Sequence, residues 1–552
     1  MADLECWCYG VGQADEGVCL LIGMGSYQVL LDCGLMDIAP LQATALDAVI
    51  CTHAHADHAR GLGLLHQQWP DVPIYASEAT AQLLRTPWAG FTPFHHSSSL
   101  PWRSPLEICP GLSVQIWPSG HLPGAACVLL TLVGDTRQRT VFYTGDCMLS
   151  HSRLADGMPL DELKGLKPDV LIVDSSYGTG RYPRRKEQEN QLADVILRAI
   201  AQRHSVILPT TQLGQGQELL MLLRSHHHFT GQDIDIWVSA GIAAGCDIYA
   251  ELLPQLPSAV QNFAQYQPLF WDERIRPRVH RLPPPTNEGS QDWLEAVAQR
   301  QFERSITTNT PTILMTDPAV HLEQYCDTEQ RQWTIFLSQE PGQVDLFHAL
   351  SSQIQASPSL QAKIQSGRIK LFPYSLGEHC DGPTLMQLIH SIRPQHLIFV
   401  HGPDHFRSDL ASQEELQVRY QLHLPTVNTH LELPIGDRFI QPAPPQLRYT
   451  GELTGLQTTV LLTLNVQIQN DPRWQQLADT GVIEAQWQGN ELVIRGVSSQ
   501  ELALAETREQ PFLVECCDRC RHYRDRRCWN KDSSLFGFRV APEGCCPVFE
   551  PS

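Results

Sequence analysis

The stretch Thr52-His53-Ala54-His55-Ala56-Asp57-His58 decides how this sequence is interpreted, because it places four candidate metal ligands within six residues. A strand-like run, Leu46 to Cys51, comes directly before it. A buried strand that ends in a tight turn can send alternate side chains into one cavity. Imidazole and carboxylate groups together suit a borderline cation such as zinc. The stretch therefore predicts a metal site at the end of a strand.

Three more candidate ligands, His121, Asp146 and His401, lie near the ends of predicted strands further along the chain. A site with two metal ions needs roughly three ligands for each ion and a bridging carboxylate. The inventory fits two zinc ions, with the following ligands: His53, His55 and His121 for the first, Asp57, His58 and His401 for the second, and Asp146 as the bridge.

The composition is that of a large globular chain. It has 552 residues, 42% of them hydrophobic and 18% charged, so we expect several domains. No apolar run is long enough to span a membrane and no secretory signal is evident, so we expect a cytoplasmic protein. Its 17 cysteines then act as thiols or metal ligands. The net charge of −20 argues against indiscriminate nucleic-acid binding, although it permits a local basic groove.

The metal-ligand motifs resemble those of the metallo-β-lactamase superfamily. Asp32 in Leu30-Leu31-Asp32-Cys33-Gly34, the His53–His58 stretch, His121 and Asp146 match its motifs in order and spacing. The resemblance implies an α/β fold, the αββα sandwich of this superfamily. We expect Asp32 to organise the metal loop rather than to contact a metal. Superfamily membership alone leaves the reaction open.

Three further matches narrow the resemblance to the β-CASP nucleases, which include ribonuclease J and the endonuclease of the pre-mRNA cleavage complex. They are Asp174 in Val173-Asp174-Ser175-Ser176, His379 before Cys380-Asp381-Gly382, and His401 before Gly402. The resemblance covers residues 1 to about 440. It implies an inserted α/β β-CASP domain, for which we expect a helix over 187–203, a strand over 205–209 and a helix over 215–223.

The resemblance implies a ribonuclease that hydrolyses RNA phosphodiester bonds by attack of metal-bound hydroxide. A histidine at the position of His401 is associated with RNA-cleaving branches of the family. Asp57 and Asp146 are expected to serve catalysis as well as metal binding. His379 has no place in the ligand count, so it could donate a proton or a hydrogen bond to the phosphate, and Asp174 could orient it.

Departures from the family pattern indicate a narrower or altered substrate. The chain has Gly214-Gln215-Gly216-Gln217-Glu218 where members usually have Gly-Arg-Ala-Gln-Glu. The segment 316–320 stands where many members carry a glycine-rich sequence, and 10–17 is more acidic than expected.

Basic residues that could contact a nucleic acid are few. One cluster follows the Asp174 strand and comprises Arg181, Arg184, Arg185 and Lys186. A second comprises Arg274, Arg276, Arg278, His280 and Arg281. The alternative for each cluster is an ordinary solvated surface.

A cysteine-rich segment near the end of the sequence predicts a second metal site. Four thiolates from Cys517, Cys520, Cys528 and either Cys545 or Cys546 could enclose one zinc ion in a small knuckle. An iron–sulfur cluster is the alternative occupant. Arginine and aromatic residues interleaved with these cysteines would suit contact with a nucleic acid, and the alternative is a small stabilising knuckle with a solvated basic face.

The predicted domains are a metallo-β-lactamase part over 1–178, the β-CASP insertion over 179–378, a second metallo-β-lactamase part over 379–440, a small α+β domain over 446–505 and the cysteine knuckle over 506–552. Three other functions stay open at this point: a small-molecule ester or thioester hydrolase, a DNA nuclease, and a non-catalytic RNA-binding or redox-sensing subunit. The sequence also permits a homo-oligomer.

Overall fold

The structure is a computed structural model. It describes residues 4–13, 16–86, 92–134, 137–283, 302, 311–317, 322–326, 331–339, 344–435, 452–456, 459–463, 483–488, 491–496, 520–524, 527–529 and 531. The chain divides into two units, Met1–Pro444 and Pro445–Ser552. Within the described residues, no helix has the length and apolar character needed to cross a membrane.

The strands of the first unit form three sheets. In chain order they are β1 (Leu4–Val11), β2 (Val18–Met24), β3 (Tyr27–Leu31), β4 (Ala48–Ile50), β5 (Ile74–Ser77), β6 (Ser97–Leu100), β7 (Leu106–Cys109), β8 (Leu112–Pro118), β9 (Ala126–Val133), β10 (Gln138–Tyr143), β11 (Val170–Asp174), β12 (Ser205–Pro209), β13 (Asp235–Val238), β14 (Arg278–Arg281), β15 (Thr312–Thr316), β16 (Trp333–Ser338), β17 (Ile369–Tyr374), β18 (His396–Val400), β19 (Gln421–His423) and β20 (Thr429–Glu432).

The α-helices of this unit lie between the strands. They are α1 (Ala56–Ala59), α2 (Leu62–Gln68), α3 (Glu78–Leu83), α4 (Leu160–Leu163), α5 (Arg185–Ala201), α6 (Gln215–Ser225), α7 (Ala240–Glu251), α8 (Ser258–Tyr266), α9 (Glu323–Cys326), α10 (Val344–Ala356), α11 (Pro358–Gln365), α12 (Gly382–Ile392), α13 (Asp404–Ala411) and α14 (Glu414–Arg419). Short 3-10 helices occupy Ala39–Leu41 and Leu253–Gln255.

Two seven-stranded sheets pack face to face. Their strand orders are β20-β1-β2-β3-β4-β5-β6 and β19-β18-β11-β10-β9-β8-β7. A single core cluster joins them, with Ile22 and Val29 from one sheet against Val128 and Ile172 from the other. Fully burying one aliphatic side chain contributes roughly 1.5–3 kcal/mol, so this interior is the main source of stability for the sandwich.

Helices cover the outer face of each sheet. Leu62 and Leu65 of α2 lie in the core cluster outside the first sheet. Leu385 and Leu388 of α12 lie in the cluster outside the second sheet. The αββα layering that the resemblance implies is therefore confirmed.

The inserted segment forms its own six-stranded parallel sheet, with the order β14-β13-β15-β12-β16-β17. The strand predicted over 205–209 has those bounds, and the helix predicted over 187–203 begins and ends two residues earlier. The segment leaves the sandwich after β11 and returns before β18. These two strands are parallel neighbours, with Asp174 opposite Val400.

The second unit is described only as short strand pairs. These are β21 (Glu452–Leu456) with β22 (Thr459–Thr463), β23 (Ile483–Gln488) with β24 (Glu491–Gly496), and β25 (Tyr523–Arg524) with β26 (Arg527–Cys528). The predicted domain bounds 446–505 and 506–552 fall largely on residues outside the described ones, so they stay predictions.

Candidate metal centre

The candidate ligands converge because they lie at the same ends of neighbouring strands. β10, β11 and β18 run parallel, so Asp146, Asp174 and His401 follow or end them at one edge of the sheet. The loop after β4 brings in the His53–His58 stretch, and the loop after β8 brings in His121. The sheet topology thus gathers side chains that are distant in sequence.

The first group consists of His53, His55, His121 and Asp146, whose ligand atoms all lie within 4.8 Å of one another. Oδ2 of Asp146 is 3.5 Å from Nε2 of His53 and 3.6 Å from Nε2 of His121. Nε2 of His121 lies 3.1 Å from Nδ1 of His55. Several nitrogen lone pairs and a carboxylate oxygen therefore face one point, an arrangement that a cation stabilises.

The second group consists of Asp57, His58 and His401. Oδ2 of Asp57 is 3.1 Å from Nε2 of His401 and 3.7 Å from Nε2 of His58. The other carboxylate oxygen of Asp146, Oδ1, lies 3.2 Å from Nε2 of His58. Asp146 thus presents one oxygen to each group.

Three buried atoms at the centre find no hydrogen-bond partner among the described residues: Nε2 of His53, Nε2 of His58 and Oδ1 of Asp146. Buried polar atoms without a partner cost about 1–3 kcal/mol each, so protein interiors normally satisfy them. Their lone pairs point toward the other ligands rather than toward donors. The residues present therefore fit divalent cations held by nitrogen and oxygen donors.

Asp32 supports the ligands from behind. Its carboxylate accepts hydrogen bonds from the backbone N–H of Thr52 at 2.7 Å, the Thr52 hydroxyl at 2.9 Å, Nδ1 of His58 at 2.8 Å and the Tyr143 hydroxyl at 2.9 Å. Because Nδ1 of His58 donates, Nε2 keeps its lone pair for a metal. The expectation that Asp32 organises the metal loop agrees with these contacts.

The histidines of the first group are also held in place, each through the ring nitrogen that points away from the other candidate ligands. Nδ1 of His121 donates to the carbonyl of Glu378 at 3.0 Å, and Nε2 of His55 donates to the carbonyl of Leu213 at 3.3 Å. Nδ1 of His53 lies 3.0 Å from the Thr52 hydroxyl. Leu213 and Glu378 belong to the inserted segment and its return, so both parts of the chain orient these ligands.

His379 stands outside these two groups and forms a third group with Asp146 and Asp174, whose ligand atoms also lie within 4.8 Å of one another. Its Nδ1 donates to Oδ2 of Asp174 at 2.7 Å. Its ring centre is 4.8 Å from that of His121 and 5.7 Å from that of His401. Its second nitrogen is therefore left for another partner at the centre.

Comparison with known proteins agrees with this geometry. The profile of the "Beta-lactamase superfamily domain" matches residues 27–204. "Uncharacterized protein sll0514" of Synechocystis is 42% identical over 98% of this chain and 96% of its own length. "Ribonuclease TTHA0252" of Thermus thermophilus is 28% identical over 40% of this chain, and "Cleavage and polyadenylation specificity factor 73" of Drosophila melanogaster is 24% identical over 43%. The alignments span 54% and 38% of those two proteins.

This chain belongs to the metallo-β-lactamase superfamily, in its β-CASP nuclease family. It is an enzyme of the metal-dependent hydrolase class.

Electrostatics in this β-CASP protein favour cations at the centre. Burial lowers the pKa of His53 well below its ordinary value and that of His121 to about 3, so both rings are neutral, the form that binds metals. Burial opposes ionisation of Asp146, but His401, His58 and His53 outweigh it and hold the pKa of that carboxyl well below its usual range.

Around His58 the balance reverses. Burial favours the neutral ring, yet Asp146, Asp57 and Asp32 outweigh it and raise the pKa of His58 well above its ordinary value. Three carboxylates thus attract positive charge at this position. A divalent cation can supply that charge in place of a proton.

The basic residues predicted to contact a nucleic acid separate into two kinds. Arg181, Arg184 and Lys186 of this β-CASP protein are exposed. The Arg185 side chain is only 8% exposed and is paired with Glu189 and Glu218. In the second cluster, Arg274, Arg276, Arg278 and Arg281 are paired with Asp272, Asp233, Asp235 and Asp247. That cluster is therefore largely neutralised.

Two residues at the centre were missed in the sequence. Tyr143 donates to Asp32, and Ser176 contacts both Asp174 and His401. The signal for Tyr143 was a polar residue at the end of the buried strand before Asp146. Ser176 follows Asp174 by two residues, a spacing that could have drawn attention to it.

The C-terminal metal site of this β-CASP protein stays a prediction. Cys520 is a partly buried free thiol, and Cys528 ends β26, which pairs with β25. Cys517, Cys545 and Cys546 lie outside the described residues.

Proposed function

We propose that the chain is a ribonuclease that hydrolyses RNA phosphodiester bonds at a centre of two zinc ions. The observation that carries the proposal is the position of Asp146, with one carboxylate oxygen facing each of two His/Asp groups. Such a centre clamps the attacking and leaving oxygens of a phosphodiester. The imidazole and carboxylate donors favour zinc.

Each group would hold one ion. His53, His55 and His121 would bind the first, and Asp57, His58 and His401 the second, while Asp146 would contact both. When bound, zinc supplies water that is activated at neutral pH and positive charge opposite the phosphate oxygens. Asp57 and Asp146 thereby serve catalysis by fixing where that chemistry occurs.

His379 and Asp174 act on the phosphate side of the reaction. Burial disfavours a charged ring, but Asp174 outweighs it by its charge and its hydrogen bond and raises the pKa of His379 to about 10. An imidazolium held by Asp174 at Nδ1 can use Nε2 to donate a hydrogen bond to the phosphate or a proton to the leaving oxygen. Asp174 orients this donor and balances its charge.

RNA is the favoured substrate class. One relative carries the name "Ribonuclease TTHA0252" and another the name "Cleavage and polyadenylation specificity factor 73". His401 also occupies the position at which RNA-cleaving branches of the family carry a histidine. Arg181, Arg184 and Lys186 are exposed beside the segment that follows Asp174, where they could pair with backbone phosphates. Twelve cysteines whose side chains the structure describes are free thiols, which is compatible with the cytoplasm.

The first test is cleavage of end-labelled single-stranded RNA, beside the matching DNA and a panel of esters and thioesters. The wild-type protein and two variants are compared. Asp146→Asn removes the shared ligand charge. Asp156→Asn changes an aspartate whose side chain is 63% exposed and forms an ion pair with the exposed His151. We expect zinc-dependent RNA cleavage by the wild type and Asp156→Asn but not by Asp146→Asn. The product ladder would also give the mode and polarity of cleavage.

Other outcomes would replace the proposal. Cleavage of DNA in preference to RNA would assign a DNA nuclease. Ester turnover without cleavage of either nucleic acid would assign a small-molecule hydrolase. Equal RNA cleavage by Asp146→Asn would show that the centre is elsewhere.

A second test concerns the exposed basic residues. Replacing Arg181, Arg184 and Lys186 with alanine should weaken RNA binding. Each lost phosphate contact should reduce the slope of log affinity against log salt by about 0.7. Arg274→Ala is the control, because this arginine is exposed but paired with Asp272. An unchanged slope in the triple variant would remove this surface from the binding site.

A further inference from the structure

The Ser176 hydroxyl lies between the Asp174 carboxylate and the His401 ring. It is 2.5 Å from Oδ1 of Asp174 and 2.5 Å from Nδ1 of His401. Ser176 is 1% exposed, so water does not compete for these contacts. The other oxygen of Asp174, Oδ2, accepts the hydrogen bond from His379. One carboxylate is thus linked to the two histidines that follow the inserted segment.

The number of available protons fixes the direction of these hydrogen bonds. An ionised carboxylate can only accept, so the single hydroxyl proton of Ser176 is donated to Asp174. The Ser176 oxygen can then only accept from His401, which places the ring proton on Nδ1. Nε2 of His401 faces Oδ2 of Asp57 at 3.1 Å in the second ligand group, where a bound metal would take the place of a proton between the two atoms.

The backbone at His401 gives this contact added importance. His401 follows the last residue of β18 and has φ 62°, in the left-handed region that non-glycine residues rarely adopt. The regular strand therefore does not set the direction of its ring. Ser175 holds the backbone by donating to the carbonyls of Val400 and His401, whereas Ser176 alone of these two serines holds the ring.

We propose that Ser176 is a positioning residue that sets the tautomer and orientation of His401 as a metal ligand. Asp174 then acts on two histidines of the centre. It accepts a hydrogen bond from His379 directly, and it accepts one from Ser176, whose oxygen in turn accepts from His401. The inference rests on the proposed two-zinc function. It assigns to the chain an outer ligand contact of the kind that tunes metal affinity.

Loss of the hydroxyl should affect one metal position more than the other. In Ser176→Ala, Nδ1 of His401 loses its acceptor, so the ring can take the other tautomer, in which Nε2 is protonated. Loss of such contacts typically weakens metal binding by about 10–100-fold. Among the described residues, the hydrogen bonds of the Ser176 side chain go to Asp174 and His401 and not to His53, His55 or His121, so the affinity of that first group should be retained.

The test is titration of the metal-free full-length protein with zinc against a competing chelator. Ser239→Ala is the matched control, since it removes a buried hydroxyl in the inserted segment that finds no hydrogen-bond partner among the described residues. We expect two tight sites in the wild type and in Ser239→Ala, and one tight site with one weakened by about 10–100-fold in Ser176→Ala. Two unchanged sites in Ser176→Ala would overturn the inference and leave the proposed function standing.

A second measurement needs no variant at Ser176. Nitrogen-15 spectra of histidine-labelled, zinc-loaded wild type report which ring nitrogen is protonated, and His401→Gln identifies the signal. Protonated Nδ1 with zinc at Nε2 is expected, and zinc at Nδ1 would overturn the inference. Failure of the wild type to bind two zinc ions would instead overturn the proposed function itself.

Discussion

Asp32 is not a candidate metal ligand, yet its hydrogen bonds position residues that are. Its carboxylate is fully buried and accepts four hydrogen bonds, two of them from Thr52. Thr52 precedes the ligand His53, and a third bond fixes the ring of His58. The charge and the acceptor geometry of Asp32 therefore act on both ligand groups.

Asp32→Asn should destabilise the fold by about 1–3 kcal/mol, because the new amide donor faces other donors in a buried site. Backbone strain does not explain the loss, since asparagine tolerates the φ of 58° found at this position. Urea unfolding measures the change. Asp37→Asn, at an exposed position, is the control and should stay within about 0.5 kcal/mol. Equal stability of the two variants would contradict this role for Asp32.

At the residue scale, the sequence identified the side chains that could form the centre but not all of their supports. The spacing of His53, His55 and His58 is local, so the chain displays it directly. The contact of Ser176 with His401 depends on two strands from opposite sides of an insertion, so nothing near Ser176 indicates it. The ligand roles themselves stay predictions until a metal is bound.

Among the elements, the end of β3 and helix α1 approach so closely that only glycine fits between them. A Cβ at Gly34 would lie 1.7 Å from the Asp57 carbonyl oxygen and 2.8 Å from the Val18 nitrogen. The backbone N–H of Cys33 also donates to the carbonyl of His58 at 2.8 Å. These two contacts fix the distance between the first sheet and the loop that carries His53, His55, Asp57 and His58.

Gly34→Ala should therefore separate β3 from the ligand loop, with a loss of about 3 kcal/mol or more and weaker zinc binding. Gly63→Ala is the matched control, because Gly63 lies within α2 and an added Cβ meets nothing within 4 Å. That variant should gain up to about 1 kcal/mol from helix propensity. Thermal unfolding and zinc titration report both effects, and a Gly34→Ala protein as stable as the wild type would refute the argument.

A pair of histidines joins β18 to the edge strand β19. Nε2 of His396 donates to the carbonyl of Pro434 at 2.9 Å, so its Nδ1 accepts from Nε2 of His423 at 3.0 Å. Burial lowers the pKa of His396 despite the nearby Asp169, and burial with the neighbouring His396 lowers the pKa of His423 to about 4. Both rings are therefore neutral in the fold.

Because both pKa values lie below the ordinary value of about 6.5, the unfolded chain binds more protons between pH 6.5 and 4. The contribution of this pair to the free energy of unfolding should be fully present above about pH 6.5 and should be lost as the pH drops toward 4. His423→Gln should make this slope shallower, whereas Gln421→Ala on the same strand should leave it unchanged. Urea unfolding across the pH range measures it, and parallel slopes in wild type and His423→Gln would exclude the pair.

Elements were predicted most accurately where local pattern sufficed. The buried run of β12 is bounded by a polar residue and a proline, so its ends agree with the prediction. Helix α5 begins two residues earlier than predicted, at Arg185, because this arginine is drawn into ion pairs with Glu189 and Glu218. Only the second of these partners is distant in sequence, and that contact could not be anticipated.

For the molecule as a whole, a buried ionic network ties the inserted segment to the sandwich. Glu218 of α6 accepts from the backbone N–H groups of Arg153 and Leu154 and pairs with Arg185 at 3.2 Å. Arg153 pairs with Glu189 at 2.6 Å. Arg153 and Leu154 lie in the loop that follows Asp146, so the network connects the insertion to the metal edge.

Glu218→Gln should cost about 3 kcal/mol, since it leaves the Arg185 charge without one of its buried partners. It should also lower turnover, because the loop behind Asp146 loses its anchor. Glu251→Gln, at the exposed end of α7, is the control and should change neither quantity. Chemical unfolding and RNA cleavage are the measurements. Matching behaviour of the two variants would show that the network is dispensable.

The layered architecture of the first unit could be predicted because the metal-ligand motifs resemble those of a superfamily whose members share the αββα sandwich. The partners of the network could not, because nothing near Arg153 in the sequence marks it, and the motif Gly214–Glu218 does not show which residues Glu218 contacts. In particular, Arg185 was grouped with residues predicted to contact a nucleic acid, whereas in the structure it stabilises the junction of the two parts.

The adjacency of β11 and β18 has a consequence for how the enzyme is made. At about 5–20 residues per second, a ribosome needs roughly 10–40 seconds to synthesise the insertion between them. Until the end of that interval the growing chain holds His53, His55, His121 and Asp146 but lacks His401. The residues of the first ligand group are therefore all made well before the second ligand group can be completed.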